Sequence, residues 1–243
     1  MIKTLKKQFA KKSFYPGFLG LFINPYFLTR KELYKYLKKL SPDVSGIILD
    51  VGCGNKPYQK LFHYQEYIGI DVAKSGHDHE NSEVDVYYDG KIIPFNDQHF
   101  DSIITTQVLE HVFEPEPLFK EMNRVLKDNG ILLITVPFIW DEHEQPYDFA
   151  RYSSFGMQYL IRKSGFRMLK NFKTLNNFSV IFQLANCYFH KVLTRRKILI
   201  NYLFLGIIIT LNNFLGLLFS FILPKNNDLY LDNIILAQKT ENV

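Results

Sequence analysis

Apolar and polar residues alternate between 47 and 173 in blocks that predict strands separated by helices. Short apolar blocks of strand length occur at 47–51, 67–71, 84–88, 100–105, 131–136 and 166–173. The stretches between them are long enough for helical crossovers, and this rhythm is typical of a mostly parallel sheet covered by helices. The pattern therefore predicts an α/β fold.

Two of the intervening helices have recognisable faces and ends. The helix predicted over residues 115–130 stops at Asn129 and Gly130, a pair that suits a left-handed cap. Its apolar face consists of Leu118, Met122, Val125 and Leu126. A second helix is predicted from Ser153 to Ser164, and Gly165 ends it.

Residues 198–224 form an apolar segment without any charged residue, and a basic run precedes it. Its length permits a transmembrane helix, which needs about 20 apolar residues. A single crossing, however, would separate a strand predicted within residues 229–239 from its sheet. Asn212 and Asn213 divide the segment into halves too short to cross. We expect a shallow hairpin in one leaflet, with burial in the protein, a dimer interface or a true span as alternatives.

Charge is concentrated at the start of the chain. Residues 1–39 hold ten of the 29 Lys and Arg but one of the 24 acidic residues. Ile2, Leu5 and Phe9 lie near one helical face among lysines, which suits an anionic membrane surface. Nucleic-acid binding or a merely solvated basic helix remains an alternative.

The composition excludes several classes of protein. Cys53 and Cys187 are the two cysteines of the chain, too few and too far apart in sequence for a disulfide framework or a four-ligand zinc site, which favours a reducing cytosolic setting. Pro16 and Pro25 interrupt the early apolar stretch, and no small-residue cleavage site follows, which argues against a secretory signal.

Two glycines one residue apart follow the first predicted strand, in "ILDVGCGNKPY". A phosphate-binding loop would need Gly-Lys-Ser/Thr, and a dinucleotide loop a third glycine where Pro57 stands. A nucleoside ligand without a pyrophosphate remains, and S-adenosylmethionine is such a ligand. Asp71 ends the second strand, where a carboxylate can accept hydrogen bonds from ribose hydroxyls, although this feature alone does not exclude NAD.

Four segments in this order resemble the class I S-adenosylmethionine-dependent methyltransferases, specifically the methyltransferase type 11-like group. They are "ILDVGCG", "YIGIDV", "YYDGKIIPFNDQHFDSIITTQVLEHV" and "EMNRVLKDNGILLITVP". The resemblance implies a Rossmann-like sheet of seven strands, mostly parallel with the last strand antiparallel, and helices on both faces. "NPYFLTRKELYKYLKKL", "CGNKPY", "DEHEQPYDFARY" and "LYLDNIILAQK" further resemble a bacterial branch associated with polysaccharide and lipid-linked sugar biosynthesis.

The same resemblance implies cofactor-binding residues. Asp50, Gly52 and Gly54 would hold the methionine end of S-adenosylmethionine, and Asp71 the ribose. The adenine would contact Val72, Asp89 and Gly90, and Gln107 would line the methionine side through its main chain. The family commonly has an acid where Gln107 stands. Each glycine or aspartate taken singly could instead serve a turn or cap a helix.

The segment "WDEHEQPYDFARYS", residues 140–153, is the candidate acceptor site because it follows the fifth strand. His143 can act as general base, and Glu144 or Asp148 can orient or replace it. Arg151 and Tyr152 can grip phosphate or sugar hydroxyls, or Arg151 can simply pair with Asp148.

Two further histidine-containing segments have competing interpretations. His111, in "VLEHV", is a second candidate base, with shaping of the cofactor pocket or helix capping as alternatives. The "GHDHE" cluster at 76–80 is interpreted as a solvated loop, so no metal site is predicted.

Together these features predict an enzyme on the cytosolic face of the cell membrane, attached as a peripheral or monotopic protein. It would O-methylate a glycan or lipid-linked sugar intermediate; alternatives are another lipid or small molecule such as a quinone precursor, or a catalytically weak scaffold of glycan enzymes. No nucleic-acid partner is expected. The predicted division is a basic N-terminal region at 1–45, a methyltransferase domain at 46–174 and 227–243, and a hydrophobic helical insertion at 175–226 before the last strand.

Overall fold

The computed structural model describes residues 13–76, 82–195 and 198–240. The strands are β1 Ile47–Val51, β2 Glu66–Val72, β3 Val86–Tyr88, β4 Phe100–Thr106, β5 Leu126–Pro137, β6 Phe166–Lys173 and β7 Asp232–Lys239. The α-helices described in full are α1 Gly20–Ile23, α2 Phe27–Leu40, α3 Pro115–Val125, α4 Ser154–Lys163, α5 Ser179–Thr194 and α6 Leu199–Ile222. Short 3-10 turns occur at Ser41–Asp43, Gln59–Leu61 and Leu109–His111.

The strands form one seven-stranded sheet in the order β3-β2-β1-β4-β5-β7-β6. The pairs β1–β2, β1–β4, β2–β3 and β4–β5 are parallel, whereas β7 runs antiparallel to β5. The α/β fold, the mostly parallel sheet and the antiparallel last strand are thus confirmed, with an apolar helical insertion before β7. Because β1 and β4 are neighbours, the loops after them share one edge of the sheet, where ligands of such sheets bind.

The strand pattern predicted most elements to within a residue or two, but the end predicted for α3 is wrong. The helix ends at Val125 instead of continuing to Asn129 and Gly130. Leu126, fully buried, pairs with Phe100 of β4, so strand pairing overrides the helical periodicity there. Asn129 does adopt a left-handed conformation, with φ of 60°, as part of an irregularity in β5.

The chain forms two compact units. The sheet unit comprises Tyr36–Phe138, Glu142–Phe172 and the residues from Asp232 onward. Its core joins buried strand residues to the apolar faces of α3 and α4, including Leu49, Ile70, Ile103, Ile134, Phe119, Met122, Met157 and Ile161. The side chain of Ser153 caps α4 by accepting a hydrogen bond from the Gly156 N–H, and Gly165 follows the helix with φ of +78°, as its sequence predicts.

The helical unit comprises the residues up to Lys35, Ile139–Asp141 and Lys173–Leu231. Within it, α5 packs against α6, and a small core surrounds Phe27, Leu28, Val180 and Leu231. The predicted hairpin within 198–224 is wrong, since α6 is one continuous helix of 24 residues that passes through Asn212 and Asn213. By length and composition α6 could cross a membrane, with a mean hydropathy of 2.0 over its most apolar stretch.

Asn212 and Asn213 do not break α6 because their side chains bond to neighbouring segments. Asn213, fully buried, donates to the Leu21 carbonyl at 2.9 Å and accepts from Asn186 Nδ2 at 2.9 Å. Asn212 donates to Asn186 Oδ1 at 3.0 Å. Polar side chains inside an apolar helix therefore fix its position against α5 and the segment before α2.

We expect Asn213→Ala to lower the free energy of unfolding by about 2–4 kcal/mol, because it leaves buried donors and acceptors unpaired. Asn212→Ala, at the half-buried neighbouring position, is the matched control and should cost about 1 kcal/mol. Urea unfolding in mild detergent measures both, followed by the fluorescence of Trp140, which lies in the helical unit and is the one tryptophan of the chain. Equal losses in the two variants would contradict an anchoring role for Asn213.

Two of the sequence predictions lie outside the described residues. They are the basic amphipathic helix at residues 1–12 and the "GHDHE" loop from His77 onward. The three-part division of the chain also stays a prediction.

Candidate functional site

The glycine loop after β1 exposes its backbone to open space. Gly52 and Gly54 both have positive φ, +72° and +48°. A Cβ at Gly52 would collide with the Val108 side chain, whereas a Cβ at Gly54 would meet no atom within 4 Å. Gly52 is therefore required by close packing and Gly54 lies beside an open space, so a ligand can approach the main chain at Gly54.

Asp50, near the end of β1, lies buried beneath this loop. The Tyr67 hydroxyl donates to its Oδ2 at 2.6 Å. Burial raises the pKa of Asp50 to about 7, although the hydrogen bond from Tyr67 and the charge of Lys56 lower it. A cation next to this carboxyl would favour its ionised form.

An ion pair between Lys56 and Asp85 stabilises the glycine loop, and the sequence pattern did not predict this pair. Lys56 is buried and forms an ion pair with Asp85, which also accepts from the Gly69 N–H at 2.7 Å. Cys53 is buried as well, and burial raises the pKa of its thiol. Cys53 is thus a packing residue rather than a nucleophile.

Asp71, at the end of β2, links its strand to the glycine loop. Its Oδ2 accepts from the Gly54 N–H at 3.0 Å and its Oδ1 from the Val72 N–H at 2.8 Å. Each carboxylate oxygen has a second lone pair, so Asp71 can hold the loop and still accept from a ligand hydroxyl.

Asp89 and Gly90, after β3, lie beside Val72. Asp89 is exposed, and the N–H groups of Ile92 and Lys91 lower its pKa by donating to Oδ1. A Cβ at Gly90 would lie 3.3 Å from Val72. The three residues predicted to contact adenine, Val72, Asp89 and Gly90, are therefore adjacent. The Asp89 side chain is accessible, and the two N–H groups bond to its Oδ1 rather than to its Oδ2.

Gln107 directly follows β4 and has a left-handed conformation, with φ of 56°. Its main-chain N–H donates to the Thr135 carbonyl at 2.9 Å, and its side-chain amide donates to Thr135 Oγ1 at 3.1 Å. Both groups thus bond to Thr135 of β5.

The loop after β5 gathers the predicted acceptor residues. Asp148 accepts from the His143 main-chain N–H at 2.9 Å and lies 3.3 Å from His143 Nδ1. Arg151 donates to both oxygens of Asp148, at 2.6 and 2.7 Å, and these bonds lower the pKa of the carboxyl. The alternative of an Arg151–Asp148 pair is thus realised, and the same carboxylate also orients His143.

His111 lies against His143, with ring centroids 4.8 Å apart. Its Nδ1 is 2.8 Å from the Tyr147 carbonyl, and its Nε2 is 3.6 Å from Glu144 and 4.0 Å from Glu110. We call Glu110, His111, His143 and Glu144 the histidine cluster. It joins residues from the turn after β4 to residues from the loop after β5.

Glu110 is a site residue that sequence reasoning missed. Its side chain is 0% exposed, and neither carboxylate oxygen has a hydrogen-bond partner among the described residues. Burial raises its pKa to about 8; Asp232 and Glu144 add to this, and Arg151 opposes it. The acid next to His111 was visible in the sequence, but its burial depends on the fold.

Tyr152 contacts the turn after β4 and the neighbouring strands β5 and β7. Its hydroxyl lies 3.4 Å from the Leu109 carbonyl, and its main chain bonds to Pro137 and Asn233. Tyr152 thus ties the loop to the sheet. The predicted role of Arg151 and Tyr152 in gripping an acceptor stays a prediction.

The glycine loop and the histidine cluster lie at the same edge of the sheet. Val108 packs on Gly52 of the glycine loop and is three residues from His111 of the cluster. The segment after β2 also approaches the cluster, because a Cβ at Gly76 would collide with Glu144. A ligand at the glycine loop would therefore lie at the same edge of the sheet as the cluster. This edge of the sheet thus combines an accessible glycine backbone with a set of titratable side chains.

Residues 49–134 match a protein family described as a methyltransferase domain, a range that includes every predicted cofactor-binding residue. An uncharacterised protein of Methanocaldococcus jannaschii is 34% identical over 99 residues, which are 39% of this chain and 38% of that protein. The chain thus matches well under half of the length of this relative.

Two solved structures have the same fold. A putative sarcosine dimethylglycine methyltransferase from Galdieria sulphuraria has a TM-score of 0.55 at 15% identity, covering 88% of each chain. Phosphoethanolamine N-methyltransferase 2 of Haemonchus contortus, in complex with S-adenosyl-L-methionine, has a TM-score of 0.52 at 19% identity, covering 96% of this chain and 58% of its own. The domain match supports a methyltransferase, and together with this complex it supports S-adenosylmethionine as the cofactor.

Proposed function

We propose that this chain, whose residues 49–134 match a methyltransferase domain, transfers a methyl group from S-adenosylmethionine to a hydroxyl of a glycan or lipid-linked sugar at a membrane surface. One observation carries the cofactor assignment: the Gly54 main chain borders open space and is bonded to the carboxylate at the end of the neighbouring strand. This arrangement suits a nucleoside ligand without a pyrophosphate.

The cofactor residues have distinct roles in this proposal. Asp50 and the main chain of Gly52 and Gly54 hold the methionine end, where the buried carboxyl faces the ammonium group. Asp71 accepts from the ribose hydroxyls, and Asp89 accepts from the adenine amino group. Val72 and Gly90 provide the flat contact for the adenine ring.

Methyl transfer is an in-line displacement: the acceptor oxygen bonds to the methyl carbon as the carbon–sulfur bond breaks. The protein must align the two reactants and allow a hydroxyl acceptor to lose its proton. We assign uptake of that proton to His143, whose ring lies next to Asp148, or to His111.

Cofactor affinity should depend on pH through Asp50. Since the pKa of the free carboxyl is about 7 and a bound ammonium group favours the ionised form, acidification below pH 7 should weaken binding, by up to tenfold for each pH unit. Binding should be nearly constant above pH 7. Calorimetric titration with S-adenosylhomocysteine between pH 5.5 and 7.5 measures this.

The groups that act on Asp50 are Tyr67, Lys56, Asp71 and Asp85. Asp50→Asn is the control, since it should bind weakly and lose the pH dependence in this range. An unchanged pH profile in this variant would contradict the role of Asp50.

Membrane contact is supported by the exposed face of α6. Apolar side chains that are 45–91% exposed occur along its whole length, at Leu199, Ile200, Tyr202, Leu203, Phe204, Ile207, Leu211, Phe214, Phe221 and Ile222. A contiguous apolar surface of this kind marks a binding surface. β6 precedes the insertion and β7 follows it in the same sheet, so a single crossing by α6 would put these two strands on opposite sides of the membrane. We infer that α6 lies instead in the interface of one leaflet.

Label transfer tests the reaction. The purified protein is incubated with methyl-tritiated S-adenosylmethionine and a membrane lipid extract, and the products are separated before and after mild acid, which releases sugars from lipid diphosphates. We expect label in the lipid phase that moves to the water phase after acid. Label that stays in the lipid would identify a lipid acceptor such as a quinone precursor and overturn the sugar assignment. Cofactor binding without any labelled product would favour the scaffold alternative.

A further inference from the structure

The Glu110 carboxyl group lies buried beside two histidines and has room for a ligand as its partner. It is fully buried, and neither oxygen has a hydrogen-bond partner among the described residues. The neighbouring His111 Nε2 is also buried and lacks a hydrogen-bond partner there. Buried polar atoms of native proteins are nearly always paired, so this group of atoms points to a ligand between them.

The spacing of the cluster fits a metal ion. One ligand atom from each of Glu110, His111 and His143 lies within 4.8 Å of the others. His111 Nε2 is 4.0 Å from Glu110 Oε1 and 3.6 Å from Glu144 Oε2. Two ligands that are each about 2.1 Å from an ion lie about 3–4 Å apart, so small side-chain movements would complete the coordination.

The outer contacts of both histidines are those of metal ligands. His111 Nδ1 lies 2.8 Å from the Tyr147 carbonyl, so a proton on Nδ1 leaves the lone pair on Nε2. His143 Nδ1 lies 3.3 Å from Asp148, which Arg151 fixes in place. Metal-binding histidines almost always use their other nitrogen in this way, towards a carbonyl or a carboxylate.

The donor set indicates which ion would bind. Two imidazoles and a carboxylate suit divalent first-row transition metals, and Zn²⁺ is bound by this set in known metalloenzymes. A bound dication would favour the ionised form of Glu110, and the Glu144 carboxylate lies beside it. Three protein ligands leave a coordination position open for a water molecule or substrate oxygen.

We propose that Glu110, His111 and His143 bind one divalent transition-metal ion, with Zn²⁺ as the ion of best fit and Glu144 beside it. The two histidines then act as ligands. The part of the ion in catalysis, unlike the ion site itself, rests on the proposed methyl transfer. In that reaction the acceptor hydroxyl would occupy the open coordination position, and the ion would lower the pKa of the hydroxyl so that it loses its proton to solvent near neutral pH.

Co²⁺ titration tests the site directly. Protein without a histidine tag is dialysed against EDTA, and Co²⁺ binding is followed by its visible absorption and then by displacement with Zn²⁺. We expect one Co²⁺ per chain. His111→Ala and His143→Ala should each weaken binding at least about 100-fold, since each removes one of three ligands, and Asp148→Asn about 10-fold.

Two controls separate this site from other histidines. His63→Ala, at an exposed position outside the cluster, and the double variant His77→Ala with His79→Ala should bind Co²⁺ as the wild type does. Co²⁺ affinity that is unchanged in His111→Ala and His143→Ala, or lost in the His77/His79 variant, would overturn the proposal.

S-adenosylhomocysteine binding, measured on the same samples, distinguishes the two proposals and reports folding. Wild-type protein that binds S-adenosylhomocysteine but no Co²⁺ would overturn the ion site and leave the proposed function standing. Protein that binds Co²⁺ through the cluster but no S-adenosylhomocysteine would overturn the proposed function and leave the ion site standing. If either alanine variant fails to bind S-adenosylhomocysteine, the near-isosteric Glu110→Gln replaces it and should also lose Co²⁺ binding.

Discussion

Replacing Asp71 by asparagine is expected to weaken S-adenosylhomocysteine binding about 100-fold. Charge-assisted hydrogen bonds contribute about 1.5–3 kcal/mol each, and the proposed ribose contact has two of them. The same carboxylate accepts from Gly54 and Val72, so the substitution also weakens the hold on the glycine loop. Asparagine keeps the shape of the side chain, and the loss therefore reports on charge and acceptors rather than on volume.

Calorimetric titration of wild-type and variant protein in detergent gives the two dissociation constants. Glu66→Gln is the matched control, because it removes an exposed carboxylate from the other end of β2 and should leave the dissociation constant unchanged. Thermal unfolding without ligand verifies that the variants are folded. Wild-type affinity in folded Asp71→Asn would contradict the ribose assignment.

Replacing Leu203, Ile207 and Phe214 by serine is expected to abolish flotation of the protein with anionic liposomes. These side chains are 57–67% exposed on α6, and their insertion into a leaflet is worth about 1–2 kcal/mol each. The triple variant should therefore partition about 100- to 10,000-fold less well. Sucrose-gradient flotation with vesicles of anionic phospholipid measures the bound fraction.

The matched control replaces Phe113, Phe155 and Tyr159 by serine. These are equally exposed aromatic residues of the sheet unit, and their loss should leave flotation unchanged. Wild-type protein that stays at the bottom of the gradient and sediments as a dimer would contradict membrane contact and favour the dimer-interface alternative. Equal flotation of the triple variant would exclude α6 as the anchor.

The sequence predicted the local elements well because their signals are local. The predicted bounds of β1 and β6 agree with the structure, and Ser153 and Gly165 flank α4 as their residue types indicate. The expected end of α3 and the expected hairpin within residues 198–224 were wrong, and in both cases a contact between residues distant in sequence determines the structure. Leu126 pairs with β4, and Asn213 bonds to a carbonyl that is 192 residues away in sequence.

The candidate site likewise contains residues that could be located from the sequence and contacts that could not. Gly52, Gly54 and Asp71 could be located from sequence because strand ends and glycine spacing determine that edge of the sheet. The contact of His111 with His143 could not, since it joins two loops whose approach depends on the packing of the whole sheet. The burial of Glu110 follows from that approach, and residue type alone gives no sign of it.

The position of β7 has a consequence for synthesis of the chain. β7 leaves the ribosome after the other six strands of the described sheet, yet it lies between β5 and β6 and is the strand through which β6 joins the sheet. The nascent chain must therefore expose α6 before β6 can join the sheet. During that interval the emerging polypeptide exposes an apolar helix and an unpaired strand edge at the same time, and both features promote aggregation. Early capture of α6 by a bilayer or a chaperone would protect it until the final strand arrives.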